Sequence, residues 1–323
     1  MSLKKATSMQ FAGERFVPTE NGQIKYEHVH RYALSLDFVV GKSVLDIASG
    51  EGYGAALLVQ VAQSVIGVDI DPESVKHSKH RYDLPNLSFL EGSCDSIPLP
   101  DASVDVVTSF ETIEHHDKHE SMMLEIKRVL KPNGYLIISS PNRLTYSDEP
   151  HYSNPFHVRE LYYEEFNQLL KKHFKDVQVY GQRLATGSFV TSLQEPRAKG
   201  LKVYSGDAQR LNQQIEPLPS PIYFIAVCSD SPVGDQQTIN SIYVDVHDDL
   251  FQGSETEKVN LIKELELVCH KHSQEIALAR EYQNHLESEI EKHKEYQSTL
   301  EKEVARLENA RLPKRIRALL RKP

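Results

Sequence analysis

The sequence has few of the features that mark secreted, metal-binding or membrane-spanning proteins. Its three cysteines, Cys94, Cys228 and Cys269, lie far apart and match no metal-ligand spacing, which fits a reducing compartment. It has no long apolar run and no signal peptide, so we expect a soluble, cytoplasmic protein whose contact with a membrane is at most peripheral. Positive charge is not in excess either. The net charge is −9 and the pI about 5.9, which argues against nucleic acid as a partner.

Proline and glycine are absent from residues 255–310, a stretch rich in Glu, Lys and His. Apolar residues recur there in alternating steps of three and four, which is the pattern of a coiled coil. They are Leu261, Leu265, Val268, Ala279, Tyr282, Leu286, Tyr296, Leu300 and Leu307. The same register also places five polar residues inside: His272, Glu275, Glu289, His293 and Glu303. We expect a coiled coil that makes a homo-oligomer, with a single solvated helix as the alternative.

Three further segments flank the central part of the chain. Residues 1–42 begin with a polar start and continue into a helix rich in Arg, His, Tyr and Glu, which we interpret as a lid over a ligand pocket. The alternative is an amphipathic helix with a solvated polar face. Residues 231–254 are predicted to be a polar linker. Residues 311–323 are basic with interleaved apolar residues, which is typical of a tail that binds an anionic membrane surface or a partner protein. The alternative is a solvated cationic end without a binding role.

The most informative motif lies between two predicted strands, residues 43–47 and 65–71. Gly50, Gly52 and Gly54 separate the first strand from a helix, and the second strand carries Asp69 near its end. Glycine allows a tight turn whose backbone approaches a ligand closely, and a carboxylate at the next strand tip can hold a ribose diol. The motif predicts a nucleotide-binding βαβ unit in residues 43–230.

The rest of this region continues the alternation of strands and helices. Further strands are predicted at residues 87–91, 104–110, 135–140, 177–184 and 222–228, and helices at 72–82, 119–130 and 161–171, with a turn at 131–134. The fold class is therefore α/β, a Rossmann-like seven-stranded sheet with helices on both faces. We expect the last strand to run antiparallel as a hairpin partner.

The spacing of Asp46, Ala48, Gly50, Gly52 and Gly54 resembles the first motif of the class I S-adenosylmethionine (SAM) methyltransferases, with alanine in place of its first glycine. A tight turn in another α/β protein is the alternative. The resemblance implies that SAM is the cofactor. The residues expected to bind SAM are Arg31, Asp46, Ala48, Gly50, Gly52, Asp69, Ile70, Asp95, Ser96 and Phe110. The family usually has an acid where Ser93 stands, so Asp95 or a backbone carbonyl would supply the contact to the adenine.

Four segments, at residues 13–16, 27–32, 51–54 and 154–157, resemble methyltransferase domains from bacterial polysaccharide gene clusters. With a coiled coil and a basic tail, the architecture looks like the chain-terminating methyltransferases of O-antigen synthesis. That resemblance implies a methyl cap on the non-reducing terminal sugar of a lipid-linked glycan, which stops elongation. It also implies that the tail gathers the polysaccharide polymerase at the membrane. No room exists for the kinase of some members, so a sugar hydroxyl is the expected acceptor.

A sugar hydroxyl is a poor nucleophile, so a general base is expected beside the methyl group. His115 and His116 follow the fourth strand and are the candidate bases, although either could instead have a structural role. Tyr26, His28, His151, His157 and Arg159 are expected to line the acceptor side, with solvated loop residues as the alternative. No compact set of metal ligands is evident. A small-molecule or lipid-quinone methyltransferase and a non-enzymatic scaffold remain alternatives.

Overall fold

The computed structural model describes residues 16–18, 22–185, 205–206, 211–212, 220–232, 241–245 and 249–311, with side chains of the last helix described for residues 258–307. The chain divides into two compact units, Met1–Gly253 and Ser254–Pro323. The predicted basic tail, residues 311–323, lies outside the described residues except for its first residue, as do most of the first 21 residues.

The first unit is built on a seven-stranded sheet with helices. The described strands of this unit, of which all but β7 and β8 belong to the seven-stranded sheet, are β1 (Ser43–Ile47), β2 (Ser64–Asp69), β3 (Leu87–Glu91), β4 (Val104–Ser109), β5 (Leu130–Pro141), β6 (Asp176–Gln182), β7 (Ser205–Gly206), β8 (Leu211–Asn212) and β9 (Tyr223–Ser229). The helices of this unit are α1 (Gln23–Val39), α2 (Tyr53–Leu58), α3 (Pro72–Arg81), α4 (His119–Val129) and α5 (Tyr163–His173). A 3₁₀ turn spans Ile113–His115 and a π-helical turn spans Leu144–Asp148.

The sheet has the strand order β3-β2-β1-β4-β5-β9-β6, and β7 and β8 form a separate two-stranded ribbon. The first five of these strands pair in parallel, and β9 runs antiparallel between β5 and β6. The sequence-based prediction of seven strands with an antiparallel last strand is confirmed. Strand order reverses beside β1 and β4, and ligands bind at such a reversal, outside the carboxyl ends of the strands.

Two hydrophobic cores lie on the two faces of the sheet because side chains alternate along each strand. In β5, Leu136 and Ile138 belong to the core that includes α4 and α5, whereas Ile137 belongs to the core that includes α1, α2 and α3. Strands buried on both faces read as continuous apolar runs, which is how the central strands could be recognised in the sequence.

The fifth strand begins earlier than predicted. We expected a turn at residues 131–134, but β5 starts at Leu130, which pairs with Val104 before the register shifts to Val106 and Tyr135. Asn133 has φ 66°, so the turn chemistry is present as an irregularity inside the strand. Sequence reasoning recognised the turn residues and missed the short pairing that precedes them.

The described part of the second unit belongs to the helix α6 (Asp249–Arg311), which confirms the predicted long C-terminal helix. Its large apolar side chains between residues 258 and 307 are 43–71% exposed. A helix of this length with exposed leucines has no core of its own. The predicted coiled coil stays a prediction. No described helix combines the length and the apolar character that crossing a bilayer requires.

Candidate active site

The glycine-rich loop after β1 adopts left-handed backbone conformations at three positions. The φ angles are 57° at Ala48, 54° at Gly50 and 90° at Gly52. A Cβ added at Gly52 would lie 2.9 Å from the Phe89 ring and 2.9 Å from Ser78 Cβ, so only glycine fits there. At Gly50 a Cβ would meet nothing within 4 Å, which leaves open space beside this backbone.

Below the loop, Tyr32 of α1 fills the space that Gly54 leaves empty. A Cβ on Gly54 would stand 1.9 Å from the Tyr32 ring. The Tyr32 hydroxyl donates to both oxygens of Asp46 at 3.3 Å, and the Thr108 hydroxyl donates to one of them at 2.7 Å. Burial raises the pKa of Asp46 to about 7. The predicted cofactor residue Phe110 packs edge-on against Tyr32, with ring centroids 5.0 Å apart.

At the tip of β2, Asp69 ties the next strand to the loop. Its carboxylate accepts the backbone N–H of Gly50 at 2.8 Å and that of Asp71 at 2.9 Å. The next side chain, Ile70, is apolar yet 68% exposed. A carboxylate, an exposed apolar side chain and open space beside Gly50 fit a nucleoside, which has a polar ribose and an apolar base. These residues therefore fit the nucleoside part of SAM, and the ribose role of Asp69 stays a prediction.

The loop after β3 holds the residues predicted to meet the adenine. Asp95 forms an ion pair with Lys118 at 2.7 Å and accepts a hydrogen bond from Ser93. The hydrogen bond from Lys118 is the main reason that the pKa of Asp95 is lowered to about 2. Ser96 is exposed, and its N–H donates to the Ser93 carbonyl at 3.1 Å. Asp95 thus stays charged and has two partners within the protein.

The predicted cofactor residue Arg31 is fully buried, so it is not a surface group. Its Nε donates to Gln182 at 2.8 Å, its guanidinium carbon lies 4.3 Å from the centre of the Tyr223 ring, and its NH1 lies 3.6 Å from Glu111. Glu111 comes directly after β4 and Phe110. Arg31 therefore places a buried positive charge beside Glu111, just after β4. Its contact with SAM stays a prediction.

Two residues predicted to line the acceptor side, Tyr26 and His28, are engaged within the first unit. The Tyr26 hydroxyl donates to Asp245 at 2.6 Å. His28 Nδ1 lies 3.1 Å from the Tyr53 hydroxyl, and its ring packs against Phe16 at 5.4 Å. Burial lowers the pKa of His28 well below its usual range, so the ring is neutral. These contacts attach α1 to neighbouring segments, and the acceptor role of both residues remains untested.

The two candidate bases, His115 and His116, have different surroundings. His115 Nδ1 lies 3.0 Å from the carbonyl oxygen of Phe156, so this nitrogen carries the proton and Nε2 is an acceptor in the neutral ring. His116 Nδ1 accepts the Lys118 N–H at 3.1 Å, and its Nε2 lies 3.3 Å from the sulfur of Cys94. The geometry favours His115 over His116 as the residue that acts on a substrate.

The loop that contains the other acceptor candidates brings one of them to His115. His157 lies edge-on to His115, with ring centroids 5.1 Å apart. His157 Nδ1 lies 2.6 Å from Glu160, and Asn154 donates to Nε2 at 3.0 Å. Arg159 is half exposed and pairs with an acid on α5, and His151 is exposed with φ 54°. The structure does not bring these last two residues to the His115–His157 pair.

Sequence reasoning missed Glu114, which lies in the 3₁₀ turn beside His115. The residue is fully buried, and neither carboxylate oxygen has a hydrogen-bond partner among the described residues. Burial and then the negative charge of Glu111 raise the pKa of Glu114 well above its usual range. The Glu114 carbonyl accepts the N–H groups of Val158 and Arg159, which brings the following loop onto this turn. Its acid-next-to-histidine sequence was visible, but its burial was not.

Comparison with known proteins agrees with this geometry. Residues 45–138 match a family model described as a methyltransferase domain. A probable S-adenosylmethionine-dependent methyltransferase of Mycolicibacterium smegmatis is 40% identical over 170 residues, which cover 51% of this chain and 65% of that protein. One of Mycobacterium tuberculosis is 38% identical over 179 residues, which cover 54% of this chain and 64% of that protein. The chain thus spans just under two thirds of the length of these relatives.

Two further matches are more distant. A Mycobacterium ulcerans protein named as a probable phthiotriol/phenolphthiotriol dimycocerosates methyltransferase is 35% identical over 108 residues, which cover 33% of this chain and 42% of that protein. The crystal structure of a SAM-dependent methyltransferase from Archaeoglobus fulgidus is 22% identical, with a TM-score of 0.46, and the match covers 63% of this chain and 93% of that one.

The strand order and the loop after β1 are similar to those of class I SAM-dependent methyltransferases, and residues 45–138 match a methyltransferase domain. The cofactor of this class is SAM.

Proposed function

We propose that the protein transfers the methyl group of SAM to a hydroxyl group of a bacterial cell-surface glycan. One observation carries the proposal: the segment after β5 brings His157 to His115 and buried Glu114, which follow β4. β4 pairs in parallel with β1, with Ser109 opposite Ile47, so the segments that follow these strands leave the same edge of the sheet. The imidazole pair therefore lies on the cofactor side of the domain.

The transfer is an in-line displacement, so position accounts for much of the rate. The acceptor oxygen forms a bond to the methyl carbon while the carbon–sulfur bond breaks, and its electron pair returns to sulfur as neutral S-adenosylhomocysteine. The hydroxyl proton must leave. His115 Nε2 is the group in this cluster that the hydrogen bond to Phe156 leaves as an acceptor, and we propose that the proton goes there.

The surface beside the cluster suits a sugar. Four aromatic side chains of the segment after β5 are 39–51% exposed: Tyr152, Phe156, Tyr162 and Tyr163. Pyranose rings have apolar C–H faces that pack on aromatic rings, whereas their hydroxyls meet polar groups at the rim. A hydroxylated lipid is the second candidate, because the Mycobacterium ulcerans relative is named for such a substrate and Val158 is 63% exposed in the same segment.

A methyl-transfer assay with labelled SAM separates these candidates. The acceptors are an extracted lipid-linked glycan and a glycan-free lipid extract, and acid hydrolysis identifies the labelled sugar. We expect label in an O-methyl sugar, and the rate of His115→Gln should fall by about 10²–10⁴. His80→Gln, an exposed histidine on α3, is the matched control. Label confined to glycan-free lipid would support the second candidate, and no binding of SAM by calorimetry would leave a non-enzymatic scaffold.

We further propose that α6 self-associates as a coiled coil and that the assembly caps the glycan at the membrane together with the polymerase. The support is the resemblance in architecture and the exposure of the predicted seam, in which Leu265 is 54% and Leu286 43% exposed. Sedimentation equilibrium tests the first step. Leu286→Glu should lower the oligomer mass, because it places a charge in the seam. Asn284→Glu, outside the seam, should leave the mass unchanged. A monomeric wild-type chain would contradict the coiled coil.

A further inference from the structure

The cluster after β4 contains a buried acid that the proposed function does not explain. Glu114 is completely inaccessible to solvent, and its two oxygens have no hydrogen-bond partner among the described residues. A carboxylate without a partner in the protein interior is strongly destabilised, so the group takes up a proton or pairs with a cation. His115 Nε2 is near one oxygen, but at 3.9 Å it is beyond hydrogen-bond distance.

Hydrogen bonds fix which ring nitrogen is the donor in each of the two histidines. His115 Nδ1 donates a hydrogen bond to the Phe156 carbonyl, and His157 Nδ1 donates one to Glu160. In this tautomer Nε2 is the acceptor nitrogen of each ring. A histidine whose other nitrogen donates to a carbonyl or a carboxylate is the usual arrangement of a metal ligand.

We propose that Glu114, His115 and His157 bind a divalent cation. One possible ligand atom from each residue lies within 4.8 Å of those of the other two. Ligand atoms around one ion at about 2.1 Å lie about 3–3.5 Å apart, so small side-chain rotations bring the three into coordination range. One carboxylate and two neutral imidazoles carry a charge of −1, which a divalent cation overcompensates.

The loop contacts hold the three ligands on one framework. The Glu114 carbonyl accepts the N–H groups of Val158 and Arg159 at 2.8 and 3.0 Å, so the position of His157 is coupled to the 3₁₀ turn. The ring of Tyr146 stacks on His157 with centroids 5.4 Å apart. Asn154 now donates to His157 Nε2, and the cation would take this lone pair in place of the amide.

The donor set selects the class of ion. Mixed imidazole and carboxylate ligands suit Mn²⁺, Co²⁺, Fe²⁺ or Zn²⁺, whereas Mg²⁺ prefers oxygen ligands throughout. Three protein ligands leave coordination positions for an oxygen of a substrate. Resting on the proposed function, the cation would hold the acceptor hydroxyl and lower its pKa, so that the proton passes to solvent water. With a cation bound, His115 would act as a ligand, and its Nε2 would take the proton as proposed above only in the cation-free protein.

The experiment is a titration of the full chain with Mn²⁺ after treatment with EDTA, followed by the loss of the electron paramagnetic resonance signal of free Mn²⁺. We expect one tight site per chain in the wild type. Glu114→Gln and His157→Gln should each weaken Mn²⁺ binding at least about 100-fold, and Glu160→Gln about 10-fold, through loss of the hydrogen bond to His157. His80→Gln is the matched control. The histidines of α6 are present in every variant, so ions bound there cancel in the comparison.

Wild-type binding no tighter than that of Glu114→Gln would overturn the proposal, as would a wild type that binds no Mn²⁺. A melting curve in EDTA checks that Glu114→Gln folds, and we expect its Tm to equal or exceed that of the wild type because a buried unpaired carboxylate is removed. Calorimetry with SAM in EDTA keeps the two proposals separate. A chain that binds Mn²⁺ but not SAM would retain the metal site and lose the proposed methyl transfer.

Discussion

The carboxyl edge of the sheet buries acids in two regions that satisfy them differently. At the ends of β1 and β2, Asp46 receives two hydroxyl groups and Asp69 two backbone N–H groups. After β4, Glu114 is buried as deeply and has no hydrogen-bond donor among the described residues. The acids of the first region have their hydrogen bonds within the protein, whereas the carboxyl group of the second feels the charge of Arg31 but receives no hydrogen bond from the described residues.

This difference separates two kinds of preorganisation. The acids of the first region fix the loop that receives the cofactor, so their geometry is already in place without it. Glu114 is held in position by its backbone, through the hydrogen bonds from Val158 and Arg159, and not through its carboxylate. A side chain held in this way is available to a ligand, which is why we infer a cation there and none beside Asp46.

The largest expected change in folding stability comes from the titration of Asp46 in the first region. The folded state raises the pKa of Asp46 to about 7, against about 4 in an unfolded chain. Between these values the folded chain holds a proton that the unfolded chain has lost, so stability is highest below pH 4 and falls as the pH rises to 7. The total fall is at most about 4 kcal/mol. The asparagine of Asp46→Asn would not titrate. In urea unfolding without SAM, the stability of Asp46→Asn should therefore rise relative to that of the wild type as the pH increases across this range. Parallel curves would mean that Asp46 titrates normally.

The next prediction concerns the other acid of the first region. Asp69→Ala removes the acceptor of the Gly50 and Asp71 N–H groups together with the predicted ribose contact. We expect SAM affinity, measured by calorimetry, to fall about 100-fold or more, equivalent to about 2.7 kcal/mol. Asp71→Ala is the control, since its carboxylate caps α3 by accepting from Glu73 N–H. That change should cost about 1 kcal/mol of stability and leave SAM affinity unaltered. Equal affinities in both variants would remove the ribose role.

Much of the first region could be predicted from the sequence, because its signals are local. Glycine spacing, an acid at a strand tip and apolar runs mark Asp46, Gly50 and Asp69 without knowledge of the fold. The partner hydroxyls of Tyr32 and Thr108 could not be found in this way, since α1 and β4 reach Asp46 only through tertiary packing.

The second region was harder to predict because its chemistry depends on burial. His115 was expected as a base and His157 as a residue of the acceptor side. Their contact could not be predicted, because the hydrogen bond that joins the turn to this loop links residues 41 positions apart in the sequence. The meaning of Glu114 rests on inaccessibility to solvent, which no spacing reveals. An acid beside histidine in a sequence is most often solvated.

A third prediction compares two glycines of the cofactor loop. Gly54→Ala would place a Cβ 1.9 Å from the Tyr32 ring and push its hydroxyl away from Asp46. We expect a loss of about 2–3 kcal/mol of stability by urea unfolding, with weaker SAM binding. At Gly50 the added Cβ meets open space, so Gly50→Ala should cost only the left-handed backbone, about 1–2 kcal/mol. A Gly54→Ala variant as stable as Gly50→Ala would show that Tyr32 is not confined by this contact.

The smallest expected effect concerns the one loop position where the sequence departs from the motif. Ala48 has φ 57°, a conformation that costs an alanine about 1–2 kcal/mol. Ala48→Gly relieves this strain but adds freedom to the unfolded chain, which costs about 0.4–1 kcal/mol. The net gain in stability should be about 0.5–1 kcal/mol, with SAM affinity unchanged, because the loop keeps its shape. Ala102→Gly, at an exposed turn with φ 49°, should gain a similar amount and has no link to the cofactor loop. If Ala48→Gly alone changed SAM affinity, the alanine methyl would itself contact the cofactor, and the first region would be completed by its ligand, as we propose for the second.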